Sequence, residues 1–174
     1  MKWQANYRDP AVKDYDRNAA VQYAHRWAYA RNPRYYDFEN IGGDCTNFAS
    51  QCLYAGSGVM NFTKEFGWYY VSVNDRAPAW TGVNELYRFL TTNGTKGPFA
   101  RVTEMTSIVP GDLVQLRFRS GPTFQHTPVI VAVRQPISPA NILVAAHTDD
   151  QDNYPLSNYD YIEARFLHIL GVYV

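Results

Sequence analysis

The stretch "GGDCTNFASQC", residues 42–52, contains both cysteines of the chain. Cys45 follows a Gly-Gly-Asp turn and opens a predicted helix, where unpaired backbone N–H groups and the helix dipole favour a thiolate. A thiolate becomes a useful nucleophile when a base, normally histidine, is brought to it from elsewhere in the fold. The spacing makes Cys45 a candidate nucleophile and predicts a lowered thiol pKa.

The same helical spacing argues against a disulfide. Residues 45 and 52 of one helix lie roughly 10 Å apart at about 1.5 Å rise per residue, whereas a disulfide spans at most about 7 Å between Cα atoms. We therefore predict two free thiols. Cys52 is predicted to be a core residue, because Cys45, Phe48, Cys52 and Leu53 form one apolar stripe.

The base must come from one of four histidines: His25, His126, His147 and His168. His25 lies inside a predicted helix and His168 inside a predicted strand, which favours structural roles for both. His126 opens the strand-like segment "HTPVIVAV", and His147 closes "ILVAAHT". These two histidines are therefore the candidates for catalysis.

A hairpin about the loop "QPISPA" would bring the two candidates together. If residue 134 pairs with residue 141, His126 faces Asp149 and is a diagonal neighbour of His147, within about 5 to 8 Å of each. A histidine with a polar orienting partner is the arrangement that a Cys–His–polar triad requires. Spacing alone leaves open which polar residue is the partner.

The elements that must position these residues follow from periodicity. Helices are predicted over Val12–Ala30, between Asp44 as N-cap and Gly56 as C-terminal stop, and from Thr81 to Gly94. Strands are predicted at Leu113–Phe118, Thr127–Arg134, Asn141–Thr148 and Phe166–Val174. Helices followed by strands indicate an α+β fold with N-terminal helices packed on a mainly antiparallel sheet.

Composition narrows the classes of function. The chain has 174 residues, 46% hydrophobic, with 16 basic and 16 acidic residues, so we expect one domain over 1–174 with an N-terminal arm at 1–11. Balanced charge without long runs disfavours nucleic acid and anionic membranes as partners. No apolar stretch is long enough to span a bilayer. We also expect the protein to be a monomer. The N-terminal residues lack the apolar core of a secretory signal, so export would need a signal outside this sequence; otherwise the protein is cytoplasmic.

Aromatic residues suggest a substrate groove. Trp68, Tyr69 and Trp80 flank a loop before the third predicted helix, and with Tyr36 they are predicted to bind substrate, although buried aromatics usually serve packing. The segment "HTDDQD" offers four polar side chains but lacks the glycine and distal glutamate of a calcium loop. We therefore predict no metal and no cofactor.

Longer segments resemble a known family. "DRNAAVQYAHRWAYARNPRYYDFENIGGDCTNFASQCLYAGSG" resembles the opening of the "putative amidase domain" family, a relative of the NlpC/P60 and CHAP groups of papain-like cysteine peptidases. "GGDCTNFASQCL" is similar to the nucleophile helix of NlpC/P60 proteins. "PGDLVQLRF" and "HTPVIVAV" resemble their Gly-Asp turn and catalytic-histidine strand, and "VAAHTDD" resembles the strand with the third polar residue. The resemblance covers roughly residues 15–160.

The resemblance implies a papain-like fold and a catalytic triad. Cys45 would be the nucleophile, His126 the general base and later acid, and His147 the residue that orients His126. Asp149 and Asp152 compete with His147 for the third position. For the tyrosine that NlpC/P60 enzymes place ahead of the cysteine, Tyr35 and Tyr36 compete, and both lie closer to the cysteine than the pattern requires.

The implied activity is hydrolysis of an amide or peptide bond, in bacterial cell-wall peptidoglycan, through a thioester on Cys45. Such a protein would be extracellular or associated with the cell wall. Two other hypotheses remain: a catalytically silent module of the same fold that binds cell-wall peptide or a protein partner, and an acyltransferase in which an amine accepts the acyl group.

Overall fold

The helical periodicity of the first half of the chain produces the helices α1 (Arg17–Trp27), α2 (Cys45–Ser57), α3 (Pro78–Thr81) and α4 (Val83–Thr92). The strands are β1 (Val12–Lys13), β2 (Tyr70–Ser72), β3 (Asp75–Arg76), β4 (Gly97–Thr103), β5 (Leu113–Phe118), β6 (Val129–Val133), β7 (Ile142–Ala146), β8 (Gln151–Pro155) and β9 (Tyr161–Tyr173). The structure, a computed structural model, describes residues 9–174. It confirms the α+β class and the mainly antiparallel sheet.

The large sheet is antiparallel throughout and has the order β1-β9-β5-β6-β7-β8, with β4 also paired to β9. A separate hairpin joins β2 and β3. The long strand β9 therefore lies at the centre of one half of the sheet. Strands β4 and β8 were not predicted from the sequence, because Gly97 and Pro98 in β4 and the polar run of β8 conceal the strand pattern.

The first helix is shorter than predicted. The side chain of Asp16 accepts a hydrogen bond from Ala19 N at 2.9 Å and so caps α1. Val12 and Lys13, which were expected to be helical, form β1 on the edge of β9. The predicted arm at 1–11 falls mostly on residues 1–8, which lie outside the described residues.

The second helix is longer than predicted. It continues through Gly56 to Ser57, and Gly58 ends it with a φ of +63° and an N–H that donates to Tyr54 O at 2.8 Å. Gly58 rather than Gly56 is thus the left-handed stop. The predicted third helix is also divided, because Gly82 is extended between α3 and α4.

The predicted hairpin forms between β6 and β7. The N–H of Arg134 donates to Asn141 O at 2.8 Å, as the predicted pairing of 134 with 141 requires. A β-bulge between Ile130 and Ala132 then shifts the register by one residue. Residues toward the open end of the hairpin therefore have different partners, and face different sides, from those in the predicted register.

The two faces of the sheet bury different sets of side chains, as strand alternation requires. The face that α1, α2 and α4 cover carries Leu113, Val129, Val131, Leu143, Ala145, Leu167 and Ile169. The opposite face carries a second cluster: Val114, Leu116, Ile130, Ile142, Val144 and Phe166. The start of α2 and the open end of the β6–β7 hairpin meet at the first of these faces.

Asp112 connects α1 to the sheet. Its fully buried carboxylate accepts from the Arg17 guanidinium at 2.7 Å, from Ile169 N at 3.0 Å and from Val109 N at 2.9 Å. His168 Nδ1 also lies 2.8 Å from this carboxylate. The structural role predicted for His168 is thus confirmed at this site.

Among residues 9–174, none of the helices has the length and apolar character that crossing a bilayer would need.

The contact between α1 and α2 depends on Gly56. A Cβ there would lie 2.4 Å from the Tyr15 ring and 2.7 Å from Asp16 O, so we expect Gly56→Ala to destabilise the fold by about 2 kcal/mol even after the helix-propensity gain of alanine. Urea unfolding followed by circular dichroism measures this. At Gly94 a Cβ would meet nothing within 4 Å, and Gly94→Ala should change stability by less than about 1 kcal/mol. Equal effects of the two substitutions would contradict the packing argument.

Candidate active site

Cys45 is the first residue of α2 and is 8% exposed. Its Sγ lies 3.9 Å from Gln125 O and 3.7 Å from Thr46 Oγ1. The adjacent Thr46 hydroxyl is 3.2 Å from the Thr127 hydroxyl. The candidate nucleophile thus packs against the backbone of residues 125–127, the segment that carries His126. Both cysteines are free thiols, as predicted, and Cys52 is fully buried in the core.

His126 belongs to the segment that packs against Cys45, but its ring is not bonded to the thiol. Within residues 9–174 no hydrogen bond joins the Cys45 thiol to the His126 ring, and the thiol contacts Thr46, Gln125 and the backbone of Thr127 instead. The imidazole Nε2 lies 3.4 Å from the Tyr159 hydroxyl. His126 lines a shallow pocket with Phe118, Gln125, Thr148, Asp149 and Tyr159. Cys45 does not line this pocket itself but contacts Gln125, which does.

Burial determines how both groups ionise. It raises the pKa of the Cys45 thiol, and hydrogen bonds from Thr127 and Thr46 offset this only in part. Burial also lowers the pKa of His126 to about 4. At neutral pH the resting site therefore holds a neutral thiol and a neutral imidazole. The lowered thiol pKa predicted from the helix start is wrong, because desolvation outweighs the helix dipole.

His147, predicted to orient His126, is engaged elsewhere. Its Nδ1 lies 2.5 Å from Asp44 Oδ2, and its Nε2 donates to Trp27 O at 2.8 Å. Its ring also stacks on Phe48 with centroids 4.0 Å apart. Alternation along β7 places His147 on the face of Leu143 and Ala145, toward α2, and the extra residue in β6 removes the predicted register with His126. The structure does not bring His147 and His126 into contact.

Asp44 is the partner that sequence reasoning missed for His147. Asp44 occupies the predicted N-cap position, but its side chain makes no capping bond to the helix backbone. Oδ1 instead accepts from Phe38 N and from Asn47 Nδ2, both at 2.8 Å. With His147 on Oδ2, the fully buried carboxylate fixes the start of α2 against the end of β7. The pair positions Cys45 without touching its thiol.

The turn from β7 to β8 contributes Thr148 and Asp149 to the pocket, and both residues have a left-handed backbone conformation. Thr148 and Asp149 have φ values of +63° and +59°, a left-handed pair that Asn-Gly adopts more easily. For a β-branched threonine this conformation is strained. The Thr148 hydroxyl accepts a hydrogen bond from Asp44 N at 3.0 Å, which fixes the turn against the start of α2. The exposed Asp149 is thereby held at the pocket beside His126.

Two residues of the predicted aromatic groove are core residues. Trp68 and Trp80 are fully buried, and their indole N–H groups donate to Ser50 Oγ and Asn47 Oδ1. The prediction that they line a groove is wrong, because these bonds and the stacking of the two rings hold them inside the helical layer. Tyr69 is half-buried and Tyr36 is 43% exposed, so these two remain accessible.

The residues of "HTDDQD" are dispersed among different partners. His147 bonds to Asp44, Asp150 pairs with Arg31 at 2.9 Å, and Asp152 pairs with His25 at 2.8 Å. In the part of the chain that the structure describes, no group of three or more metal-ligating side chains is assembled. Asp152 is thus held by α1 rather than by the pocket.

Sequence signals could have found some of the missed pocket residues but not others. Gln125 and Thr148 directly adjoin the predicted His126 and His147, so chain proximity alone would suggest them. Tyr159 lies 33 positions after His126 and reaches it only through the fold. No local motif marks it.

Comparison with known proteins now identifies the family. The sequence pattern described as "Putative amidase domain" matches residues 14–170. The chain belongs to this family. Its description indicates an amide-bond hydrolase. Cys45, His126 and the pocket all lie within the matched part of this amidase domain.

One relative extends over most of the chain. The "Uncharacterized protein YhbB" of Bacillus subtilis (strain 168) is 33% identical to this amidase domain over 120 residues, which are 68% of this chain and 37% of that protein. The alignment with this relative therefore takes in well under half of its length. No solved structure matches the chain.

The Asp44–His147 pair should matter to the stability of this amidase domain. His147→Ala removes the histidine from Oδ2 of the buried Asp44 carboxylate, where the Arg31 guanidinium at 3.7 Å remains, so we expect the free energy of unfolding to fall by about 3 kcal/mol. Urea unfolding at pH 7 measures it. The matched control is His25→Ala, which breaks a partly exposed pair with Asp152 and should cost about 1 kcal/mol or less. A loss no larger than that of the control would refute the anchoring role of His147.

The pKa of His126 should also be visible in the stability. With a folded pKa of about 4 against 6.5 unfolded, only the unfolded chain binds this proton as the pH falls through that window. The stability that follows from keeping His126 neutral is fully present above pH 6.5 and is lost as the pH falls toward 4. The free energy of unfolding should thus fall by about 2–3 kcal/mol by pH 4.5. We expect wild type to lose that much more stability than His126→Asn between pH 7 and 4.5, measured by urea unfolding. Parallel pH profiles would show that His126 is not buried in the neutral form.

Proposed function

We propose that this amidase domain is a cysteine-dependent hydrolase of papain-like type, related to the NlpC/P60 and CHAP groups, that cleaves amide or peptide bonds in bacterial peptidoglycan. Cys45 is its nucleophile and His126 its base. The observation that carries the proposal is the packing of Cys45, at the start of α2, against residues 125–127, which present His126 at the neighbouring pocket.

The chemistry follows from the groups present. Cys45 Sγ attacks the carbonyl carbon of the amide while its proton passes to His126. The oxyanion that develops lies at the N-terminus of α2, where backbone N–H groups and the helix dipole stabilise negative charge. His126 then donates the proton to the leaving amine, the C–N bond breaks, and a thioester remains. Water hydrolyses the thioester and restores the thiol.

The resting ionisation states fit a site that is activated by substrate. A neutral thiol and a neutral imidazole require proton transfer during the attack, because the buried site disfavours a standing ion pair. A neutral His126 is ready to accept the proton at neutral pH. The Cys45 thiol at present faces Gln125 O, so substrate entry must also turn the thiol or the imidazole to bring them within bonding distance.

The pocket lining supports a peptide-bearing substrate. Gln125 and Thr148 offer amide and hydroxyl groups to a peptide backbone, and the exposed carboxylate of Asp149 suits an amino group of the substrate. Phe118 and Tyr159 supply apolar walls. A peptidoglycan substrate would place the working domain outside the cell membrane, and the enzyme is proposed to act as a monomer.

The decisive experiment is hydrolysis of purified muropeptides by the chain, with products identified by mass spectrometry. We expect release of a free amine or of a peptide fragment, and loss of at least about 1,000-fold in kcat for Cys45→Ala, because the other thiol, Cys52, is fully buried in the core. Cys52→Ala, which alters the second buried thiol of the same helix, should retain activity. Folding of each variant is verified by circular dichroism.

Two outcomes would count against the proposal. Equal activity of Cys45→Ala and wild type would remove the cysteine mechanism. Binding of muropeptides without turnover, together with no faster alkylation of Cys45 than of Cys52, would favour the silent binding module. A product in which an added amine replaces water would identify the acyltransferase.

A further inference from the structure

We propose that Tyr159 is the residue that positions the His126 imidazole, an inference that rests on the hydrolase function proposed above. The Tyr159 hydroxyl lies 3.4 Å from His126 Nε2. The two ring centroids are 5.3 Å apart and inclined at 55°. The contact is long for a hydrogen bond, and catalytic bonds in unliganded sites commonly shorten when substrate binds.

The three polar residues considered for this role from the sequence are otherwise placed. Both nitrogens of His147 are bonded, to Asp44 and to the Trp27 carbonyl. Asp152 pairs with His25 on α1. Asp149 reaches the pocket, but within residues 9–174 the His126 ring is bonded to Tyr159 and not to Asp149. Tyr159 is the polar side chain that the fold brings to the ring.

The surroundings of Tyr159 hold its ring in place. It follows the short 3₁₀ turn Leu156–Asn158, and its N–H donates to Leu156 O at 3.3 Å. Leu156 is fully buried in the second core cluster. Tyr154 packs edge-on against the Tyr159 ring, with centroids 5.2 Å apart at 77°. The hydroxyl is therefore presented to His126 by a packed aromatic pair rather than by a free loop.

The chemical consequence is the choice of tautomer. If Nε2–H donates to the Tyr159 oxygen, the lone pair lies on Nδ1, and Nδ1 is the atom that takes the proton from Cys45 Sγ. The same bond stabilises the imidazolium that forms, and Nδ1–H later protonates the leaving amine. The phenol stays neutral throughout, because burial and the neighbouring Cys45 raise the pKa of Tyr159. Tyr159 is thus a positioning residue and transfers no proton itself.

The test compares Tyr159→Phe with Tyr154→Phe. Each substitution removes one hydroxyl and keeps the aromatic pair. The Tyr159 hydroxyl contacts His126, whereas within the described residues 9–174 the Tyr154 hydroxyl makes no hydrogen bond. We expect Tyr159→Phe to lower kcat on muropeptides about tenfold, the equivalent of one hydrogen bond, with KM unchanged. Tyr154→Phe should leave both constants within about twofold.

A second readout does not depend on turnover. In ¹⁵N-labelled wild type at pH 7, we expect the His126 ring shifts to show the proton on Nε2, and Tyr159→Phe to move them toward a mixture of tautomers. Tyr154→Phe should leave them unchanged. A proton on Nδ1 in wild type, or identical shifts in wild type and Tyr159→Phe, overturns the inference.

The two proposals can fail separately. If wild type does not hydrolyse any muropeptide while the ring shifts respond to Tyr159→Phe, the hydrolase function fails and the Tyr159–His126 bond stands. If wild type is active and neither kcat nor the shifts respond to Tyr159→Phe, the hydrolase stands and the role of Tyr159 is refuted.

Discussion

The buried carboxylate of Asp44 is the constraint on which the geometry of the site depends. It joins three parts of the chain: the loop before α2 through Phe38 N–H, the helix itself through Asn47, and the end of β7 through His147. An isolated charge in this place would be very costly, so its burial requires these partners together with the Arg31 guanidinium, which lies 3.7 Å from Oδ2. The position of Cys45, the next residue, follows from that requirement.

Burial sets the chemistry of the site as strongly as the choice of residues does. A cysteine at a helix start would ordinarily be acidified, yet desolvation reverses the sign of the shift at Cys45. The same desolvation keeps His126 neutral. The candidate nucleophile and the candidate base are therefore both uncharged in the resting fold at neutral pH.

The sequence predicted what depends on local pattern and missed what depends on register. The apolar stripe from Cys45 located α2, and the alternation around the loop after β6 located the hairpin. The bulge at Ile130 has no signature in the sequence, so the loss of the predicted register between His126 and His147 could not be foreseen. Trp80 was misplaced because an aromatic side chain suits a groove or a core equally well. Tyr159 was missed because three strands, β6, β7 and β8, separate it from His126 along the chain.

The burial of Cys45 also bears on oxidation. Oxidants such as peroxide react with exposed thiolates, whereas this sulfur is 8% exposed and its pKa is raised. In the resting fold it is therefore a poor target for conversion to sulfenic acid. A thiol that is buried and uncharged in this way can persist in oxidising surroundings for as long as the fold around it stays intact.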